Sequence, residues 1–155
     1  RPDTRMSGGG DDAIIIARST ARRSLSIGLG IGSRLPAYCS AIGRVLLASL
    51  PPGEAERRVR AMPRQPLTPR TVYEVRPVLE LIARCREQGF AGSDGELELG
   101  VRSMAVPVHD RSGSLVGAMS IAVRAERMSF AEFREAFLAA LRKAGTTLGE
   151  RLYPE

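Results

Sequence analysis

The segment of this chain best suited to bind an anion is residues 40–43, Ser-Ala-Ile-Gly. Ser40 is a typical N-cap residue, and apolar residues recur at helical spacing from Ile42 to Leu50. The first amides of a helix have no acceptor inside it, so those of Ala41, Ile42 and Gly43 are candidate anion ligands. An ordinary capped helix explains the same residues, and this segment alone leaves both interpretations open.

A second candidate surface lies on two predicted strands, residues 101–108 and 115–124, joined by a turn around His109 and Gly113. One face carries the small or polar residues Val101, Ser103, Ser120 and Ala122, and the opposite face carries Leu115, Met119, Ile121 and Val123. The bulky face is expected to pack under helices. The small face leaves space for a polar ligand, or it allows a helix to pack closely. Together with residues 40–43 it favours a ligand pocket.

Other reactive side chains predict little chemistry. Cys39 and His109 could form a nucleophile pair, but nothing in the sequence orients them, and a buried structural cysteine is expected instead. The acidic residues Asp94, Glu96 and Glu98 are explained by a solvated loop. The sequence has no metal-ligand spacing, P-loop or dinucleotide-binding glycine pattern. We therefore expect no metal, no cofactor and no enzymatic activity.

Composition indicates one globular domain. The chain has 155 residues, 43% of them hydrophobic and 26% charged, with a formal net charge of +6. The positive charge comes almost wholly from scattered arginines without interleaved aromatic residues, so direct nucleic-acid contact is not expected. No apolar run is long enough to span a membrane, and two cysteines do not make a disulfide framework. A cytoplasmic location is expected.

Local patterns predict the order β-β-α-α-α-β-β-α, an α/β architecture of the α+β type with helices packed on an antiparallel sheet. Residues 1–12 are expected to be a linker, a tag remnant or a disordered lead-in. The remaining expectations are strands at 13–17 and 25–31, a helix from Ser40 to Pro51, helices at 54–62 and 71–88, a loop or irregular strand at 90–99, and a last helix capped by Ser129 and Glu132.

Three segments resemble the effector-binding domain of IclR-type bacterial transcriptional regulators. They are LPAYCSAIGRVLLASL (35–50), DGELELGVRSMAVPV (94–108) and GSLVGAMSIAV (113–123), and the resemblance covers residues 13–153. The forms LPAYC and DGELELGVRS are similar to the PcaR/PobR branch, which controls aromatic-acid catabolism through the β-ketoadipate pathway.

The resemblance implies a GAF-like fold, a curved antiparallel sheet flanked by helices. It also implies a small organic acid as effector and assembly into a homodimer or tetramer. DNA would be bound by an N-terminal winged helix-turn-helix domain, expected to be absent from this chain, and no membrane partner is expected.

The resemblance also assigns residues to the effector site. Matching positions place the effector carboxylate on the amides of Ala41 and Ile42 and a hydrogen bond on Ser120, with Ile27, Leu35, Val101, Ser103 and Ala122 lining the site. Ser93 and Ala122 replace polar residues of pyruvate- and glyoxylate-binding members. These replacements favour a larger, less polar effector, such as a hydroxybenzoate.

Three alternatives remain at this stage. The chain could be a GAF- or PAS-type sensory domain of another signalling protein, or an oligomerisation domain without a ligand. It could also be an enzyme that uses Cys39 as its nucleophile.

Overall fold

The computed structural model describes residues 4–6, 12–15 and 34–152, with side chains described for 34–152. The strands are β1 (Thr4–Met6), β2 (Asp12–Ile15), β3 (Arg34–Pro36), β4 (Ala91–Asp94), β5 (Val101–His109) and β6 (Leu115–Arg124). The helices are α1 (Ala41–Ala48), α2 (Pro52–Ala61), α3 (Val75–Gln88) and α4 (Phe130–Arg151). The strand expected at 25–31 lies outside the described residues, as does Ile27.

The described strands form two antiparallel sheets, in the orders β1-β2-β3 and β4-β5-β6. In the second sheet β5 is central, and Ser103 lies opposite Ser93 on β4 and Ala122 on β6. Strand β1 also approaches β6, so the two sheets meet along this edge. Helices packed on antiparallel sheets confirm the predicted α+β class.

Helix α4 covers one face of the second sheet. Its Phe133 is fully buried against Met104, Val106, Met119 and Ile121, as the bulky face of the hairpin predicts. The predicted cap is also present: Ser129 Oγ accepts a hydrogen bond from the Glu132 amide, and the Glu132 carboxylate accepts one from the Ser129 amide.

Helix α1 covers the opposite face, with α3 packed outside it. Ala91, Ala105 and Ala118 lie in one core cluster with Val45, Leu46 and the other buried residues of α1. On α3, Val78, Ile82 and Cys85 recur at helical spacing and are buried in this cluster. Leu115 packs here rather than under α4, because a register shift between Val108 and His109 changes the side to which the first residue of β6 points.

Two predicted boundaries are wrong. Residues 1–12 were expected to be a linker, a tag remnant or a disordered lead-in, but Thr4–Met6 forms β1 and Asp12 begins β2. A strand of three residues is too short to show an alternating pattern. The helix expected at 71–88 begins at Val75. Pro77 is tolerated only in the first turn of a helix, where its missing N–H has no partner, so α3 cannot begin four residues earlier.

The close approach of α4 to β5 generates a testable prediction. A Cβ atom on Gly149 would collide with the backbone carbonyl of His109, whereas one on Gly53 of α2 would meet nothing within 4 Å. Gly149→Ala should therefore lower the free energy of unfolding by about 1–3 kcal/mol, through overpacking. Gly53→Ala should raise it by about 0.5–1 kcal/mol, through helix propensity. Urea denaturation of both variants checks this, and equal effects would contradict it.

Candidate functional site

The first turn of α1 leaves two backbone amides free. Ser40 has the extended backbone of an N-cap, and its Oγ accepts a hydrogen bond from the Gly43 amide at 3.1 Å. The amides of Ala41 and Ile42 have no acceptor among the described residues. Of the three amides that the sequence offered as anion ligands, Gly43's is used by the cap, and those of Ala41 and Ile42 remain available.

Gly43 also has a packing role. A Cβ atom at this position would collide with the backbone of Ala37 and approach Ser40 Oγ to 2.7 Å. Because no side chain is present, the turn formed by residues 37–39 folds directly over the first turn of the helix. The predicted ligand contact of Gly43 stays a prediction.

A buried ion pair lies beneath this turn. The guanidinium of Arg44 donates to both carboxylate oxygens of Glu96, at 2.7 and 2.8 Å, and the two residues are 1% and 6% exposed. Glu96 Oε1 also accepts from the Val72 amide at 2.9 Å. The expectation that Glu96 lies in a solvated loop is therefore wrong for this residue. The signal in the sequence is Arg44 itself, an arginine among the apolar residues of a buried helix.

The same guanidinium holds the turn that precedes the helix. Arg44 Nε donates to the Tyr38 carbonyl at 2.8 Å, and Nη1 donates to the Gly92 carbonyl at 3.2 Å. Ser93 Oγ donates to the Cys39 carbonyl at 2.7 Å. The turn is thus connected to β4 at two successive carbonyls. Arg44 links the Tyr38 carbonyl to Gly92, and Ser93 bonds the Cys39 carbonyl directly.

These contacts place the helix N-terminus beside the small face of the hairpin. Ser93, which bonds the residue before Ser40, lies opposite Ser103, and Ser103 Oγ is 3.5 Å from the Ser93 carbonyl. Ser103 in turn lies opposite Ala122. Ser120 lies opposite Ala105, two pairs further along the strands and next on the same face.

Burial divides this small face into two parts. Ala91, Ala105 and Ala118 are buried under α1, as close helix packing predicts. Val101, Ser103 and Ala122 are only partly buried, and Ser120 is exposed. Leu35 is buried in the α1 cluster. The predicted site residues therefore fall on one side of the sheet, with the amides at one end of α1 and the hydroxyls on uncovered strand.

Cys39 is not poised as a nucleophile. The residue is fully buried, and burial raises the pKa of its thiol to about 12. Its thiolate is therefore scarce near neutral pH. His109, its imagined partner, is exposed at the end of β5.

The described residues contain no group of three or more His, Cys, Asp or Glu side chains that could hold a metal ion. In the same part of the chain, no helix combines the length and apolar character needed to cross a membrane.

Comparison with known proteins identifies the family. A family model described as bacterial transcriptional regulator IclR C-terminal matches residues 7–149. The chain therefore belongs to the IclR family of bacterial transcriptional regulators and contains its C-terminal, effector-binding domain. The similarity to the PcaR/PobR branch is confirmed by the relatives described next.

The Pca regulon regulatory protein of Pseudomonas putida is 36% identical over 145 residues, which cover 93% of this chain and 50% of that protein. The inducer-binding domain of PobR from Acinetobacter, a double mutant in complex with 3-hydroxybenzoic acid, superposes with a TM-score of 0.86 at 25% identity, covering 96% of this chain and 86% of that one. The C-terminal domain of Escherichia coli KdgR superposes with a TM-score of 0.79 at 29% identity, and the match covers 96% of this chain and 84% of that one. The chain spans about half the length of the curated relatives it matches.

The buried ion pair yields a stability prediction. Glu96→Gln leaves the Arg44 charge buried without a counter-charge, so it should lower the free energy of unfolding by about 3–5 kcal/mol. Glu56→Gln, which breaks the exposed pair with Arg60, is the matched control and should have little measurable effect. Chemical denaturation of both variants checks this. A small loss in Glu96→Gln would show that the charge pair is not needed.

Thiol accessibility gives a second prediction. Cys39 and Cys85 are buried, and burial raises the pKa of their thiols to about 12 and about 11. Native protein at pH 8 should therefore react with neither thiol, whereas unfolded protein should react with both. Because unfolded thiols lose their protons near pH 9, the free energy of unfolding should hold below pH 9 and fall as the pH rises toward 12. Fast labelling of native protein would contradict the buried placement.

Proposed function

We propose that this domain senses an aromatic or ring-derived carboxylic acid. The carboxylate sits on the free amides of Ala41 and Ile42, and the hydroxyls of Ser103 and Ser120 orient the rest of the effector. The observation that carries the proposal is a pair of amides without an acceptor among the described residues, at the positive end of the α1 dipole and on the sheet side that bears these hydroxyls.

The charges near the site favour binding of the effector carboxylate by neutral backbone amides rather than by Arg44. Arg44 lies one turn into the helix, but both its terminal nitrogens already bond the Glu96 carboxylate. A second carboxylate would have to displace Glu96 from a buried bidentate pair. An effector with one carboxylate therefore binds more readily to the backbone amides of Ala41 and Ile42, for which the described part of the chain supplies no acceptor.

The aromatic class is supported by the relatives and by the residues at the site. The PobR domain that superposes on this chain was solved with 3-hydroxybenzoic acid. In this chain Ser93 is buried, and its hydroxyl is used by the Cys39 carbonyl, so it offers little polarity to an effector. Ala122 brings no hydroxyl either. Both features favour a larger, less polar acid than pyruvate.

In the full-length regulator, effector binding would shift the arrangement of subunits and so the spacing of the DNA-binding domains. The first experiment is a thermal-shift screen with 3-hydroxybenzoate, 4-hydroxybenzoate, protocatechuate, muconate, β-ketoadipate and pyruvate. A ligand at about 100 times its dissociation constant stabilises the folded state by roughly 2.7 kcal/mol. A selective shift with one aromatic or ring-cleavage acid supports the proposal. No shift with any of them contradicts it and favours an oligomerisation domain without such a ligand.

Removing one amide tests the proposed carboxylate contact. Ala41→Pro deletes the N–H at the first helical position, where proline is accepted, and the extended backbone of Ser40 suits a residue before proline. Affinity for the acid found in the screen should fall about tenfold or more, the value of a hydrogen bond to a charged group. Ala41→Gly, which keeps the amide, is the control and should bind within a few-fold of the parent by calorimetry. Equal affinities in both variants would exclude this amide from the site.

A further inference from the structure

We propose that Arg44 is a positioning residue, which fixes the two effector-binding amides without touching the effector. This inference rests on the proposed function and adds a residue that determines its affinity. It starts from the backbone that aims the amides. The N–H directions of Ala41 and Ile42 are set by the turn at residues 37–40, because these amides lie ahead of the first intrahelical hydrogen bond of α1, from Arg44 N to the Ser40 carbonyl.

Arg44 is placed to control that turn. Side chains on a helix lean toward its N-terminus, and the Arg44 side chain follows this direction back to the Tyr38 carbonyl, where Nε donates at 2.8 Å. The Ser93 hydroxyl holds the next carbonyl, that of Cys39. One carbonyl of the turn is therefore held from the helix and the next from the sheet.

The guanidinium itself is held in a fixed plane. Glu96 binds it through both oxygens, and the Gly92 carbonyl accepts from Nη1. Glu96 is anchored in turn by the Val72 amide, and its own carbonyl accepts from Thr71 Oγ1 at 2.6 Å. The planar guanidinium group of Arg44 cannot rotate without breaking several of these buried hydrogen bonds. The Tyr38 carbonyl is thus bonded to a rigid donor.

Substitutions that leave the local charge unchanged can distinguish a positioning role of Arg44 from a purely electrostatic role. Arg44→Lys retains one positive charge but loses the donor at Nε and the bidentate geometry. Ser93→Ala removes the second contact with the turn and changes no charge. Gly149→Ala is the matched control, because it disturbs α4 on the opposite face of the sheet. If Gly149→Ala does not fold, Gly145→Ala replaces it, since a Cβ atom there makes a milder clash on the same helix.

The experiment measures amide geometry and affinity separately. In acid-free protein, the amide NMR shifts and hydrogen-exchange rates of Ala41 and Ile42 should change in Arg44→Lys and Ser93→Ala and stay unchanged in Gly149→Ala. Calorimetry with 3-hydroxybenzoate, or with whichever acid gives the largest thermal shift, should show an affinity about tenfold lower in the first two variants only.

Unchanged amides in Arg44→Lys and Ser93→Ala would overturn the proposal. Equal losses of affinity in Arg44→Lys and Gly149→Ala would also overturn it, since they would show a general loss of stability. If no acid binds the parent protein, the proposed function fails, and the acid-free amide measurements still decide whether Arg44 positions the turn.

Discussion

Burial of the Arg44–Glu96 pair is the constraint around which the described part of this domain is arranged. Removing two charges from water costs several kcal/mol per ion, and their attraction offsets this only when hydrogen bonds satisfy the remaining donors and acceptors. The structure meets this requirement by collecting partners from four places: the turn before α1, strand β4, the loop after β4 and the segment before α3. Segments far apart in the sequence are thereby fixed to the N-terminus of α1.

The two faces of the β4–β5–β6 sheet differ in how the helices cover them. Bulky residues such as Met104 and Ile121 fill the space under α4. On the other face, alanines allow α1 to lie close to the strands, and the small residues beyond the helix remain partly exposed. A small side chain on this face therefore allows close helix packing where α1 covers it and leaves the strand surface partly exposed where α1 does not. The transition falls between Ala105, which is buried, and its neighbour Ser120, which is exposed.

Local signals in the sequence predicted the features that depend on neighbouring residues. The Ser40 cap and the Ser129–Glu132 capping box follow from residue types at fixed spacings, and both are confirmed. The α+β class followed from the order of the elements.

Features that depend on distant partners could not be predicted in this way. Glu96 looks like a surface residue until Arg44, 52 positions away, is placed beside it. Leu115 was assigned to the wrong face because a bulge interrupts strict alternation, and no residue type marks that bulge. At the candidate site, the resemblance to IclR-type regulators supplied residue roles that periodicity alone could not give. Those roles, from Leu35 to Ala122, remain predictions for this chain.

The central claim is that the free amides of Ala41 and Ile42 bind the carboxylate of the effector. The most direct test is an NMR titration of ¹⁵N-labelled protein with 3-hydroxybenzoate, followed through every backbone amide. The account predicts that the largest downfield shifts occur at Ala41 and Ile42 and saturate together with changes at Ser103 and Ser120. Saturable shifts centred elsewhere, with these two amides unchanged, would contradict it.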